Sequence, residues 1–169
     1  MIVRREDPRD HDAVRSVHRA AFGGDDGEVV EARLVDELRE DSGFLPHLSM
    51  VAVAGGEVVG HVIATRGWLE PLGIPVLGLG PLGVHPDSQR TGVGTVLVHA
   101  LLAVAEAADE RLVALLGAPD YYQRFGFVPA AELGVTSPEP AWGEHFQARR
   151  LNGPPVQGAF RYAAPFDGL

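Results

Sequence analysis

The sequence predicts one α/β (α+β) domain in which helices pack against a single mixed sheet. Apolar runs of strand length alternate with amphipathic stretches of helical length along most of the chain. Its 169 residues suffice for one well-buried core and fall short of two ordinary ones, so a single domain over 1–169 is expected. Residues 84–94 also join a continuous apolar run to a helical pattern through a glycine-bearing loop, a strand–loop–helix joint.

Residues 2–5 read as a short first strand. Asp10 is placed to cap a helix over about 11–22, with Val14, Val17, Ala21 and Phe22 on one face. The run Gly-Gly-Asp-Asp-Gly at 23–27 breaks it. In a second helix Val29, Val30, Leu34, Val35 and Leu38 form the apolar face, and Glu31, Arg33, Glu37 and Arg39 point outward. Residues 48–54 and 58–65 read as strands joined at Gly55-Gly56, a tight hairpin signal. The stretch 75–84 is glycine-rich and poor in polar residues, which predicts a central strand buried on both faces. The longest helical pattern follows at 91–108, with Val93, Val96, Leu97, Ala100, Leu101, Val104 and Ala105 at helical spacing. An apolar strand at 112–116 precedes a short helix at 119–125 with proline in its first turn, and Phe127-Val128 begins a further strand. In the proline-rich tail, 147–151 and 159–163 are the closing strands.

Composition excludes several chemistries. There is no cysteine, so disulfides, thiolate nucleophiles and cysteine-held zinc are absent. The histidines His11, His18, His47, His99 and His145 lack metal-ligand spacing, and no metal is expected. The net charge is −9 and all 14 basic residues are arginine, a balance that argues against nucleic acid as partner and suits a cationic substrate. No apolar run reaches spanning length and the first residues lack a signal-peptide core, so a cytoplasmic protein without a membrane partner is expected.

The loop at 84–94 is an anion site in outline, because the first amides of a helix have no intrahelical acceptor and carry the positive end of its dipole. A Walker-type loop needs lysine, and the chain has none. A dinucleotide fingerprint needs a third glycine, where Thr95, Val96 and Leu97 follow Gly94 instead. The register of Gln89, Gly92 and Gly94, led in by Val84-His85-Pro86, resembles the acetyl-coenzyme A loop of the GNAT superfamily of N-acetyltransferases. A second motif of that superfamily is matched downstream by Tyr121-Tyr122-Gln123-Arg124-Phe125-Gly126-Phe127. Gly-Leu-Gly-Pro-Leu at 78–82 and the ending Gly-Ala-Phe-Arg-Tyr at 158–162 with Pro165-Phe166 are similar to its YhbS-like bacterial subgroup. One departure stands out: Leu115 occupies the position where many members carry an asparagine that touches the pantetheine arm.

The resemblance implies a mostly antiparallel sheet of about seven strands with splayed central strands and four helices. It implies acetyl-CoA as co-substrate, with pyrophosphate on the amides of about Arg90, Thr91, Gly92, Val93, Gly94 and Thr95, Gln89 supporting the loop, and pantetheine along Leu82, Gly83 and Val84. It assigns Tyr122 as proton donor to the leaving thiolate and the Val84 N–H as oxyanion contact. Tyr121 is assigned to packing. His85, at the strand exit, is the candidate base, because an imidazole removes protons near neutral pH. The acceptor is expected to be an amine of a small molecule or peptide, held by the first two helices, a loop at 66–73 and the tail, with Trp68 and Trp142 as candidate lining. Homodimers are common in the superfamily. A CoA-binding regulatory module without turnover is the alternative. Acylation of tRNA-linked amines is disfavoured by the acidic balance.

Overall fold

Thirteen regular elements follow the apolar pattern. In the computed structural model, which describes residues 1–23 and 28–169, they are β1 (Ile2–Arg5), α1 (His11–Phe22), α2 (Val30–Glu40), β2 (Ser49–Ala54), β3 (Glu57–Glu70), β4 (Ile74–Val84), α3 (Val93–Ala107), β5 (Leu112–Leu116), α4 (Pro119–Tyr122), β6 (Val128–Pro129), β7 (Val135–Thr136), β8 (Phe146–Arg150) and β9 (Gly158–Arg161). The chain break read at 23–27 lies, for 24–27, outside the described residues.

The strands form one sheet in the order β1-β2-β3-β4-β5-β8-β6, with β9 pairing the far end of β3 and also β7. Only β4 with β5 and β7 with β9 are parallel among the described pairs. The sheet has nine strands where about seven were expected; the strand begun at 127–128 is β6, and β7, two residues long, has no counterpart among the strands read from sequence. Helices α1 and α2 cover one face, where Val14, Leu34 and Leu38 meet Val51 and Ile63. Helix α3 covers the other, with Leu97 and Leu101 fully buried against Met50, Val62, Leu77 and Leu79. Each such leucine contributes on the order of 2 kcal/mol.

Three local expectations are corrected. Asp10 gives α1 no side-chain cap; Asp7 caps the Pro8–Asp10 turn before it, while Asp10 binds Arg4 at 2.7 Å. Residues 66–70 are not loop but continue β3, paired from Arg66↔Leu77 to Leu69↔Ile74, so the turn shrinks to 71–73. Arg66 can enter the sheet because Glu110 meets its guanidinium at 2.9 Å, and Gly67 leaves room for the Phe160 ring. Arg39, read as outward, is buried with 7% side-chain exposure, because Glu6 and Asp36 satisfy its charge.

The feature that positions the site is a gap in the middle of the sheet. Strand β4 pairs with β5 only at Leu77↔Val113 and Gly78↔Ala114, then runs on to Val84 without a β5 partner. Just past the divergence the β3–β4 register slips, with Ala64↔Leu79 followed by Val62↔Leu82. The extra residue falls at Gly80-Pro81, where proline has no N–H for the ladder and glycine takes a φ of 136°.

Candidate functional site

Past Val84 the chain turns through a one-turn helix at Pro86–Ser88 and enters α3 at Gly92, whose φ of 90° favours glycine. Gly92 offers no side-chain cap, so the amides of residues 92–95 are without intrahelical acceptors. The loop is held from within: Gln89 Nε2 donates to the Val84 carbonyl at 3.0 Å, and Thr91 Oγ1 donates to the Ser88 carbonyl. These amides open into a cavity of about 530 Å3 whose far walls are Phe22 from the end of α1 and Tyr121 and Arg124 from the α4 region. Arg90 and Arg124 are among the residues that line it, and the Arg124 guanidinium lies 4.5 Å from the centre of the Tyr121 ring. A Cβ on Gly94 would stand 2.8 Å from the Tyr121 hydroxyl, so that glycine keeps the α3 entrance narrow and open.

The edge of β4 that faces the gap carries unused backbone groups. His85 N–H donates across the sheet to the Val59 carbonyl at 2.9 Å. N–H directions alternate along a strand, so those of Val84 and Leu82 point to the opposite edge, into the gap. A ligand with amide groups running along 82–84 finds donors there while its anionic end rests on α3.

Behind β4 lies a buried polar chain. His18 Nε2 and His61 Nδ1 are 2.8 Å apart, His61 Nε2 is 2.8 Å from Glu6 Oε2, and the Ser49 hydroxyl donates to the same carboxylate at 2.6 Å. Neutral imidazoles satisfy this pattern when His18 Nε2–H donates to His61 and His61 Nε2–H donates to Glu6. Burial alone would raise the Glu6 carboxyl, but the hydrogen bonds from His61, Arg39 and Ser49 outweigh it and hold it at about 2. Burial lowers His18 to about 3 and His61 below its ordinary value, so both rings stay uncharged. Among the described residues His18 Nδ1 is buried without a partner, and a Cβ on Gly83 would stand 2.7 Å from it.

On the other side of the divergence, Leu79, Gly80 and Pro81 form part of a second cavity of about 550 Å3. Its wall is aromatic, with Trp142, Phe160, Tyr162 and Phe166, and burial pushes the Tyr162 phenol well above its ordinary range.

Of the residues read from sequence as cofactor contacts, Leu82, Val84, Gln89, Arg90, Gly92, Val93, Gly94 and Thr95 line the first cavity together. Gly83 sits in the same strand with its α-carbon turned to His18, and Thr91 braces the loop. Tyr122 stands one ring behind Tyr121, edge-on at 4.9 Å and packed over Gly117, and burial raises its phenol to about 12. Tyr121, assigned to packing, lines the cavity. His85 lines neither cavity; its Nδ1 accepts the Asp87 N–H at 3.2 Å. Trp142 lines the second cavity, whereas Trp68 lies under the Arg161 guanidinium, 4.3 Å from the ring centre. Phe22 and Arg124 were missed. Arg124 was within sight, three residues after Tyr121, whose carbonyl its Nε binds at 2.8 Å. Leu115 is buried in the core. Among the described residues no cluster of ligating side chains could hold a metal ion, and no helix is long and apolar enough to cross a membrane.

Comparison with known proteins bears on this geometry. Residues 12–127 match the acetyltransferase (GNAT) family. The chain is 35% identical over 142 residues to the uncharacterized N-acetyltransferase YjhQ of Escherichia coli, covering 82% of this chain and 76% of that protein. Its fold superposes on the crystal structure of the GNAT family N-acetyltransferase YhbS of Escherichia coli in complex with CoA, with a TM-score of 0.85, 30% identity, and 98% and 91% of the two chains covered. A GNAT family acetyltransferase from Brucella melitensis, solved in complex with acetyl-CoA, gives a TM-score of 0.79 at 32% identity, with 98% and 97% covered. The splayed, mostly antiparallel sheet with its four α-helices is thus shared with these structures.

Proposed function

The chain belongs to the acetyltransferase (GNAT) family, and from that premise we propose that it moves an acetyl group directly from acetyl-CoA to a primary amine of a small molecule or peptide. The observation that carries the reading is the first cavity, which joins four unpaired amides, two arginines and a free strand edge. The two relatives solved with CoA and acetyl-CoA have the same fold. Acetyl-CoA bound there would supply an activated acyl group on a good thiolate leaving group.

The amides of residues 92–95 hold the pyrophosphate, with Arg90 and Arg124 neutralising charge. The Val84 N–H binds a pantetheine amide, and the Leu82 N–H, farther along the strand from the phosphate, receives the negative charge that develops on the carbonyl oxygen; one N–H cannot serve both groups, so the oxyanion contact expected at Val84 moves to Leu82. A neutral amine attacks the carbonyl carbon, an N–C bond forms, the C–S bond breaks, and the proton lost from nitrogen passes to solvent, from which Tyr122 recovers the proton it gives, so the products are the amide and the CoA thiol. Tyr122 gives its proton to the departing sulfur. Its raised pKa means the phenol is protonated at every working pH. His85 serves this reading by holding the turn with the Asp87 amide rather than by reaching the amine.

Isothermal calorimetry with acetyl-CoA tests the reading first, and thiol release across an amine panel tests it second. Saturable binding with amine-dependent thiol release is expected. Binding without release from any amine would leave a CoA-binding module, and absence of binding would overturn the reading.

A further inference from the structure

We propose that the second cavity is the acceptor site and that it selects a primary amine bearing an aryl or bulky apolar group. The proposal rests on the acetyl-transfer reading and deepens it.

The two cavities lie along one stretch of backbone. Leu82 and Val84 line the first; Leu79, Gly80 and Pro81 line the second. A phosphate anchored at the start of α3 sits beyond the Val84 end of β4. A chain laid back along that strand from Val84 to Leu82 therefore brings its far end to Gly80-Pro81. That is the floor of the second cavity, at the point where β5 has already turned away. An acyl group carried to this position faces whatever the second cavity holds.

The chemistry of the wall decides what it holds. Trp142, Phe160, Tyr162 and Phe166 form one aromatic surface, with ring centres of neighbouring pairs between 4.4 and 6.5 Å apart. Arg161 also borders the cavity, but its guanidinium is occupied on Trp68 and by Glu70 at 3.0 Å. An acceptor with many hydroxyls or a second ammonium would lose its water there and find few partners. An apolar tail loses nothing, and a volume of about 550 Å3 accommodates a ring and its linker. Asp167 adds a carboxylate at the border and takes part in none of the ion pairs among the described residues, so it can draw in the cationic form of the amine.

The test uses the whole chain and reads binding apart from turnover. 2-Phenylethylamine, ethylamine, putrescine and glucosamine are titrated by calorimetry and by tryptophan fluorescence, with and without CoA, and then assayed with acetyl-CoA. 2-Phenylethylamine is expected to bind at least tenfold more tightly than ethylamine, and to change a fluorescence signal that Trp142→Phe abolishes. Phe166→Ala should weaken its binding about tenfold while leaving the acetyl-CoA dissociation constant unchanged. Equal binding of ethylamine and 2-phenylethylamine, or tighter binding of putrescine or glucosamine, would overturn the proposal. The outcomes separate it from the transferase reading. Efficient acetylation of glucosamine without binding of 2-phenylethylamine sinks the aryl-amine assignment alone, whereas tight binding of 2-phenylethylamine with no acetylation of any amine sinks the transferase reading.

Discussion

Arg39 Nε lies 2.7 Å from Glu6 Oε1, with the two side chains 7% and 4% exposed, so a buried ion pair ties the end of β1 to the second helix. The same carboxylate receives Ser49 and His61, and His61 in turn meets His18 beneath β4. The strand that borders both cavities therefore rests on a polar chain reaching back to Glu6. Removing one partner leaves a buried charge uncompensated. Arg39→Met is expected to cost about 3 kcal/mol in urea unfolding, and Glu6→Gln in the Arg39→Met background should cost much less than in the wild type. Additive losses would show that the two side chains are energetically independent.

Acid should undo this chain in two stages. Glu6 has a folded pKa of about 2 against 4.5 in the open chain, so the unfolded state binds more protons between those values and stability falls as pH drops through that window. His18, held at about 3 against 6.5, adds a loss that begins below about pH 6.5. Unfolding midpoints measured from pH 7.5 to 3 should decline from about 6.5 downward. Glu6→Gln should flatten the profile below about 4.5, and an unaltered slope there would contradict the assignment.

Tyr122→Phe is expected to lower kcat by about a hundredfold, the usual scale for loss of a positioned proton donor. Acetyl-CoA affinity by calorimetry should be retained, since the first cavity is lined by Tyr121 and not by Tyr122. Unchanged turnover would remove Tyr122 from the chemistry.

Gly94→Ala places a methyl group 2.8 Å from the Tyr121 hydroxyl, at the amides that face the cavity. Acetyl-CoA should bind about tenfold more weakly, a difference of about 1.4 kcal/mol. Arg124→Ala should weaken it by a smaller factor that shrinks as salt is raised, because that guanidinium is exposed and screened.

Gly83→Ala would put a methyl 2.7 Å from His18 Nδ1 and 2.9 Å from its Cε1. Overpacking of this kind costs about 1–3 kcal/mol. Gly168→Ala, with nothing within 4 Å, is the control, and thermal midpoints that fall equally in both would refute the contact.

How much of this could be read in the sequence depended on distance along the chain. The strand–loop–helix joint was legible because its strand, glycines and helix start are contiguous, and eight of the ten residues named there as cofactor contacts line one cavity. The hairpin at Gly55-Gly56 and the α3 pattern were legible for the same reason. The polar chain was not: His18 and His61 are 43 residues apart and Ser49 and His61 are 12, so no local pattern links them. Arg39 misled because helical periodicity sends charge to solvent, and only the fold brings Glu6 to meet it. The 66–70 segment misled through Arg66 and Gly67, whose reasons for sitting in a strand, Glu110 and Phe160, arrive much later in the chain.

The strand β9 lies along the far end of β3, and it and the segment after it bring Phe160, Tyr162 and Phe166 to the second cavity, all beyond residue 127, where the family match stops. On the proposed reading, the aromatic wall for the acceptor lies in a different stretch of the chain from the phosphate loop, although Leu34, Leu79, Gly80, Pro81 and Leu116 also line the second cavity. A graft of residues 128–169 from a relative with a different wall should shift substrate preference while the phosphate loop is inherited intact.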